Sequence, residues 1–466
     1  MPQIYAKLWT NAKESVYLHR FMSFYESFSS IVSAINGVVW GWPMIVLLVG
    51  THLFLTIRLR FPQRHIFRAI RLSVTRDKGA EGDVSQFAAL VTSLAATIGT
   101  GNIVGVATAI ALGGPGAVLW CWITGVLGIA TKYSEGLLAV KYRKQTSNGK
   151  MLGGPMYALE TGLGWRWAAI LFCVFTALAA FGIGNMVQSN AISLLVHETY
   201  GVPQYISGFA VALCTALVIL FGIRGIARFC TAFVPLMALL YVAGCLFILY
   251  LNAPYVWPAI CLICKSAFTP AAAGGGFVGT TILVAARYGI ARGLFSNESG
   301  MGSAPIMAAA AQTKNPVRQA LVSSTGTFWD TVVICALTGI VLVSSILMHP
   351  DIDYTNGAAL TKMAFEKIPL VGAPLLAFGI ITFAFSTILG WSYYGERALE
   401  YLSGKRFLIP YRLAFIVVAF IGSVVQLSLV WDLADLMNAL MAIPNLLSLL
   451  FLSGVIVSET RKYMKP

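Results

Sequence analysis

The sequence predicts an all-α protein that crosses a membrane many times, and three observations carry that prediction. The 466-residue chain is 58% hydrophobic and only 11% charged, less than half the charged share of a soluble domain. Its mean hydropathy is +0.78. Apolar stretches of about 20 residues, each long enough to cross a bilayer as a helix, recur from one end of the chain to the other. The formal charge of +14 does not indicate nucleic-acid binding. Lys and Arg sit in short loops between apolar stretches, as the positive-inside rule expects, and form no basic face with interleaved aromatics.

Taken in order, eleven spans are expected, over 32–57, 84–112, 116–141, 165–196, 205–223, 229–250, 287–311, 317–348, 372–402, 410–430 and 434–457. Residues 1–30 form a polar N-terminal extension. The apolar run that follows, "VSAINGVVWGWPMIVLLVGTHLFLTIRL", is too long for a signal peptide and reads as a retained first span. Basic clusters then fall after alternate spans: Arg58 to Lys78, Lys141 to Lys150, Arg224 with Arg228, Lys314 with Arg318, Lys405 to Arg412, and Arg461 to Lys465. An odd number of spans, with the N-terminus outside and the C-terminus in the cytoplasm, puts all of them on one side. The Gly-rich piece at 268–286 is too broken to cross alone and is expected to lie at the outer surface.

The eight cysteines lie mostly inside spans, where Cys acts as a small hydrophobe. Cys261 and Cys264 make a CxxC, which no second pair completes into a zinc site; a disulfide there would need an oxidising side.

Two spans are interrupted. Residues 96–116, "ATIGTGNIVGVATAIALGGPG", place Gly99, Gly101 and Asn102 mid-span, and "ARGLFSNESGMGSAPIMAAAA" at 291–311 places Asn297, Glu298, Ser299 and Gly300 likewise. Unpaired backbone is costly in lipid, so each break must face protein or a cavity. The surroundings run in the same order: a small-residue break, an Ala-rich half-helix, a Pro-marked turn, and a long span ending in Thr-Gly. Because the two interrupted spans enter from opposite sides, the units are inverted in the membrane. Paired interrupted spans mark the binding site of a secondary transporter. Free N–H groups at half-helix N-termini attract anions, and free carbonyls attract cations. The arrangement suits a small zwitterion beside a monovalent cation.

Other readings account for the same residues less fully. The spacing of Gly99, Gly101 and Gly105 is not that of a dinucleotide fingerprint, and no strand precedes it. Close helix packing alone leaves Asn102 and the matching NESG unexplained. Glu135, three residues after Lys132, is as compatible with a structural ion pair as with a transport role, and Asp330 with a proton relay as with a packing anchor. Glu298, inside the break, is expected on the permeation path. Gln188 is expected to line the site, Trp391 to be a belt aromatic or a pocket wall, and Ser386 and Thr387 to bond their own helix or offer oxygens to a cation. Scattered acidic residues supply no channel ring. Dispersed histidines supply no catalytic cluster, so no enzyme is expected.

The motifs "ALVTSLAATIGTGNIVGVATAIALGGPGA", "KYSEGLLAVKYR", "GGPMYALE", "AFGIGNMVQSN", "RGLFSNESGMGSAPIMAAAA", "QALVSSTGTFWDT", "STILGWSYYGERALEYL" and "MAIPNLLSLL…SGVIVSET" run in order between about residues 80 and 460. In them the chain resembles the alanine or glycine:cation symporter family. The resemblance implies a LeuT-like fold of two inverted five-helix repeats plus one additional N-terminal transmembrane helix. On that pattern the single transporter domain is 31–460, with the extra helix at 32–57, repeat one at 84–250, repeat two at 268–430 and a final helix at 434–457. It implies a sodium-coupled symporter importing alanine or glycine by alternating access across a prokaryotic plasma membrane, with proton coupling as the alternative. Thr100, Gly101, Asn102, Gln188, Asn297, Glu298, Ser299, Gly300 and Trp391 would line the substrate pocket. Ala95, Ile98, Phe383, Ser386 and Thr387 would hold sodium. In this reading the substrate carboxylate meets the amides of Thr100–Asn102, and its ammonium meets carbonyls near Asn297–Gly300. No cofactor beyond the coupling ion, no nucleic acid and no obligate protein partner is implied. The first 30 residues are longer than the family usually carries.

Overall fold

The computed structural model describes residues 27–77, 79–146, 149–269, 281–425 and 428–464. Nearly all of them are helical. The chain opens with α1 (Ser27–Arg58) and the short amphipathic α2 (Ile66–Ser73). Next come α3 (Gln86–Thr97) and α4 (Gly101–Gly113), two halves of one span bent by 55°. A long helix, α5 (Gly116–Lys141), leads into the two-residue hairpin strands β1 (Lys144–Gln145) and β2 (Met151–Leu152). The first half closes with α6 (Arg166–Tyr200), α7 (Gln204–Ile219), α8 (Gly222–Leu251) and α9 (Ala253–Phe268).

The second half begins with α10 (Ile282–Asn297) and α11 (Ala304–Ala308), again separated by a break. It continues through α12 (Pro316–Met348), α13 (Gly357–Glu366), α14 (Gly372–Ser403), α15 (Leu408–Val424), α16 (Ser428–Phe451) and α17 (Ser453–Met464). The expected stretches overlap these helices with shifted ends, but 84–112 is divided between α3 and α4, 287–311 between α10 and α11, and 434–457 between α16 and α17. Among the described residues six helices are long and apolar enough to cross a membrane, or seven with α3 and α4 taken as one span. The piece expected at 268–286 falls largely at 270–280, outside the described residues, as do residues 1–26 of the N-terminal extension. One apolar helix, α9, is unanticipated. Pro254 argues against it in sequence but sits in its first turn, where its missing N–H costs nothing. Cys261 and Cys264 lie on this helix as exposed free thiols, so the CxxC forms no disulfide here.

Local chemistry sets the helix starts. Ser85 accepts from the Ala88 amide at the head of α3, and Thr281 from Val284 at the head of α10. Asn315 caps α12 ahead of Pro316.

Burial sorts the helices into inner and outer ones. Within their most apolar stretches α12 is 67% buried and α14 61%, against 28% for α8 and 22% for α1. The outer helices turn residues such as Leu239, Leu246 and Val46 outward, which is the solution lipid requires. Helices at matching positions of the two halves pack together: α5 with α12, α6 with α14, α7 with α15. The two breaks thereby meet at the centre, against α6 and α14.

Candidate functional site

At the first break, α3 stops at Thr97 because Ile98 turns extended (φ −74°, ψ 96°). The chain re-enters helix through a wide π turn at Gly101–Gly105. Gly99 is required by close approach, since a Cβ there would lie 2.7 Å from Thr387 Oγ1. Asn102 holds the break in shape. Its Oδ1 accepts from the Gly99 amide (2.9 Å), while its Nδ2 donates to Asp330 Oδ1 (2.8 Å).

Five oxygens converge where α3 ends. Ser386 Oγ lies 3.1 Å from the Ala95 carbonyl and 2.9 Å from that of Phe383. Thr387 Oγ1 lies 3.2, 3.3 and 3.0 Å from the carbonyls of Ala95, Ile98 and Phe383. Two hydroxyl protons must serve three carbonyls, so the group carries more acceptor than donor capacity. A hard cation bound at about 2.4 Å would set its oxygen ligands roughly 3.4 Å apart, near the spacing found.

Beside this cluster is a cavity of about 20 Å³, lined by Gly99, Thr100, Gly101, Ile183, Gln188, Phe295, Glu298 and Trp391 among others. Thr100 Oγ1 and Gln188 Oε1 are buried there without a hydrogen-bond partner, a costly arrangement unless a ligand supplies one. Trp391 forms a wall. Its Nε1 donates to Glu298 Oε1 (3.0 Å), and Gly184 makes room for it, since a Cβ there would sit 2.3 Å from the Trp391 Cβ. A π turn at Gly182–Met186 brings the Ile183 carbonyl to Gln188 Nε2 (3.1 Å), fixing that amide.

The second break is built differently. Glu298 ends α10 in the left-handed conformation (φ 52°, ψ 23°), and its other oxygen accepts from Ser303. Lys132 Nζ donates to the Asn297 carbonyl (2.8 Å). Glu135 Oε1 accepts from the amides of Gly300 (3.1 Å) and Gly302 (3.0 Å) and from Asn445 Nδ2 (2.7 Å). Asn445 Nδ2 also reaches the Gly300 carbonyl (2.8 Å). Asn297 Oδ1 accepts from the Ser299 amide, and Ser299 Oγ pairs with Thr327. From outside the repeats, α1 adds Leu48 and His52 against Gly300, with His52 bonded to Thr131.

Asp330, buried in a π turn of α12, joins the two breaks. It accepts from Asn102 Nδ2 and, through Oδ2, from Ser296 Oγ (2.8 Å) and Thr331 Oγ1 (2.7 Å). At one end of the molecule the interrupted spans are also stitched together. The Asp83 amide donates to the Ala310 carbonyl, and Gln312 N to that of Val84. Arg143 caps the carbonyls of Ala309, Ala311, Thr313 and Glu81.

Of the residues singled out in sequence, Thr100, Gly101, Gln188, Glu298 and Trp391 line one cavity, and Ala95, Ile98, Phe383, Ser386 and Thr387 form one oxygen cluster. Asn102, Asn297, Ser299 and Gly300 do not line the cavity. Most of their polar groups are bonded inside the breaks, Asn297 Nδ2 excepted, and of the carbonyls expected to meet an ammonium those of Asn297 and Gly300 are taken by Lys132 and Asn445. Lys132 and Glu135 form no ion pair with each other among the described residues; each serves the broken backbone instead. The sequence signal for them was their i, i+3 spacing, which puts both on one helix face but does not name the partner.

Residues 25–466 match the sodium:alanine symporter family. The chain is 50% identical over 444 residues to the sodium/alanine symporter AgcS of Methanococcus maripaludis, covering 94% of this chain and 97% of that one. It is 52% identical over 441 residues to an uncharacterized transporter of Haemophilus influenzae (94% and 96% covered), and 36% identical over 441 residues to the probable sodium/glutamine symporter GlnT of Bacillus subtilis (93% and 90% covered). In fold it is similar to MhsT, solved with L-phenylalanine, at a TM-score of 0.55 and 14% identity, covering 82% of this chain and 99% of that one. With two broken helices meeting at the centre of paired, inverted halves, the chain has a LeuT-like fold and belongs to the sodium:alanine symporter family, whose members are membrane transporters rather than enzymes.

Proposed function

We propose that this protein is a sodium-coupled symporter that imports a small neutral amino acid, alanine or glycine, by alternating access. The observation that carries the reading is the group of five uncharged oxygens at the end of α3, directly against a small cavity with unpartnered Thr100 and Gln188 oxygens. Sodium, held by Ala95, Ile98, Phe383, Ser386 and Thr387, would tie α3 to α14 and close the break on the substrate. The ion would favour the closed arrangement by its extra affinity for it. Relatives named as sodium symporters for alanine and glutamine support the class of ion and cargo.

For the amino acid, the carboxylate meets the free amide end of α4 at Thr100 and Gly101, where a helix N-terminus favours an anion. Its ammonium meets the Glu298 carboxylate, the one anionic group lining the cavity. Gln188 orients the substrate, and Trp391 limits its side chain. The stitched ends around Val84 and Ala311 would be the cytoplasmic gate, in the orientation with the N-terminus outside and the C-terminus inside a prokaryotic plasma membrane.

A second reading, proton coupling, is favoured by one feature: Glu298 is a buried carboxylate on the cavity wall. Uptake of labelled L-alanine into proteoliposomes separates the two. The sodium reading predicts accumulation under an inward sodium gradient at equal pH. Accumulation under a proton gradient alone overturns it and makes Glu298 the carrier.

A further inference from the structure

We infer that Lys132 is a tethered cation for the second break, the fixed counterpart of the exchangeable ion proposed at the first. The comparison with an ion rests on the sodium reading; the placement of Lys132 does not.

Each half-helix that ends at a break leaves carbonyls without intrahelical partners and carries partial negative charge there. The end of α3 is met by neutral hydroxyls from Ser386 and Thr387. At the matching end of α10, the Lys132 ammonium donates to the Asn297 carbonyl (2.8 Å). Lys132 is only 2% exposed, and an ammonium removed from water is costly unless something there requires it. Among the described residues it makes no ion pair within 4.0 Å, and its one direct hydrogen bond is to that carbonyl.

The other side of the break completes the case. Three residues along α5, Glu135 takes the amides of Gly300 and Gly302. A spacing of i, i+3 puts both side chains on one helix face, about one turn apart. One helix therefore presents a positive charge to the carbonyl end of the break and a negative charge to its amide end, opposing the dipoles of both half-helices. Where the first break meets its carbonyl end with neutral hydroxyls, the second brings a charge of its own.

The test uses purified full-length protein and thermal melting, which requires neither sodium nor substrate. Lys132→Ala removes a butylammonium-sized group from a closed site. Its melting midpoint is expected at least about 5 °C below wild type, and millimolar n-propyl- or n-butylammonium should restore at least half of that loss. Tetramethylammonium, which has no N–H to donate, should restore none. Lys132→Met keeps the length without the charge. It should melt low, resist rescue, and take up alanine at least about tenfold more slowly.

Wild-type melting and uptake in Lys132→Met overturn the inference. So does a Lys132→Ala protein whose midpoint rises with alkylammonium no more than wild type does. Should Lys132→Ala not survive purification, Lys132→Met decides. Absence of sodium-driven uptake in the wild type would sink the symporter reading and leave the rescue test intact.

Discussion

The two broken helices face the same electrostatic problem and solve it in opposite ways. In each, a half-helix ends in free carbonyls and a second begins with free amides. The first break shows neutral groups to its surroundings: five oxygens at the carbonyl end, and an amide end facing a cavity with unpartnered side-chain oxygens. The second is held from behind by Lys132, Glu135 and Asn445, and shows the cavity one carboxyl group, that of Glu298. In the proposed function the first break offers its oxygens to solutes, while the second has its carbonyl and amide ends met by side chains of the protein. Asp330, bonded to Asn102 of the first and Ser296 just before the second, makes the two a single unit.

Substitutions can break or sharpen this contrast. The largest effect should come from removing both hydroxyls of the first break. Ser386→Ala with Thr387→Ala leaves the carbonyls of Ala95, Ile98 and Phe383 without these hydroxyl partners and takes away two of the five proposed ion ligands. Sodium-driven uptake should fall about 100-fold, near 2.7 kcal/mol, with the midpoint for sodium raised.

Next is Glu298→Gln, which removes the one charge the second break shows the cavity. Half-saturation for alanine should rise about 10- to 150-fold, as charged hydrogen bonds of roughly 1.5–3 kcal/mol are lost, while the sodium dependence stays. An unchanged alanine dependence would return the ammonium to some other group.

Trp391→Leu should act on selectivity more than on rate. It opens the wall that Gly184 seats, so competition by larger neutral amino acids should strengthen several-fold relative to alanine. A competition profile identical to wild type would exclude Trp391 as the size filter.

The smallest effect should be at the stitched end. Arg143→Lys cannot reach four carbonyls at once. It should lower the melting midpoint by a few degrees and raise the exposure of a cysteine placed at Ala311 to a water-soluble maleimide. Equal labelling would mean that this end is held by the backbone pairing of Val84 and Gln312 alone.

Much of this was legible in sequence because breaks in apolar spans obey a strict rule: backbone without partners cannot face lipid. Gly99, Gly101 and the NESG at 297–300 had to meet something, and they meet each other's surroundings. The Ser-Thr pair at 386–387 was legible through the family motif, and its oxygens do converge with Ala95, Ile98 and Phe383. What spacing conceals is direction. Asn102 and Asn297 are polar residues at a break, the signature of a ligand, yet both side chains accept amides of their own break. Lys132 and Glu135 have the spacing of an ion pair but reach a different helix. Asp330 offered two readings, and its three donors make it an anchor between helices 228 and 34 residues away in sequence, a partnership no local pattern announces. In α9, Pro254 costs nothing in the first turn, whereas Pro258 lies inside the helix and removes one of its hydrogen bonds.

The central claim is that the first break, and not the second, carries the exchangeable cation. Its most direct test is the sodium dependence of the melting midpoint, for wild type and for the Ser386→Ala, Thr387→Ala protein, with choline replacing sodium at constant ionic strength. The account predicts that wild type rises steadily with the logarithm of sodium concentration, gaining about 2.7 kcal/mol at 100 times the dissociation constant, and that the double variant stays flat. A double variant that rises as steeply as wild type would place the ion elsewhere and contradict the account.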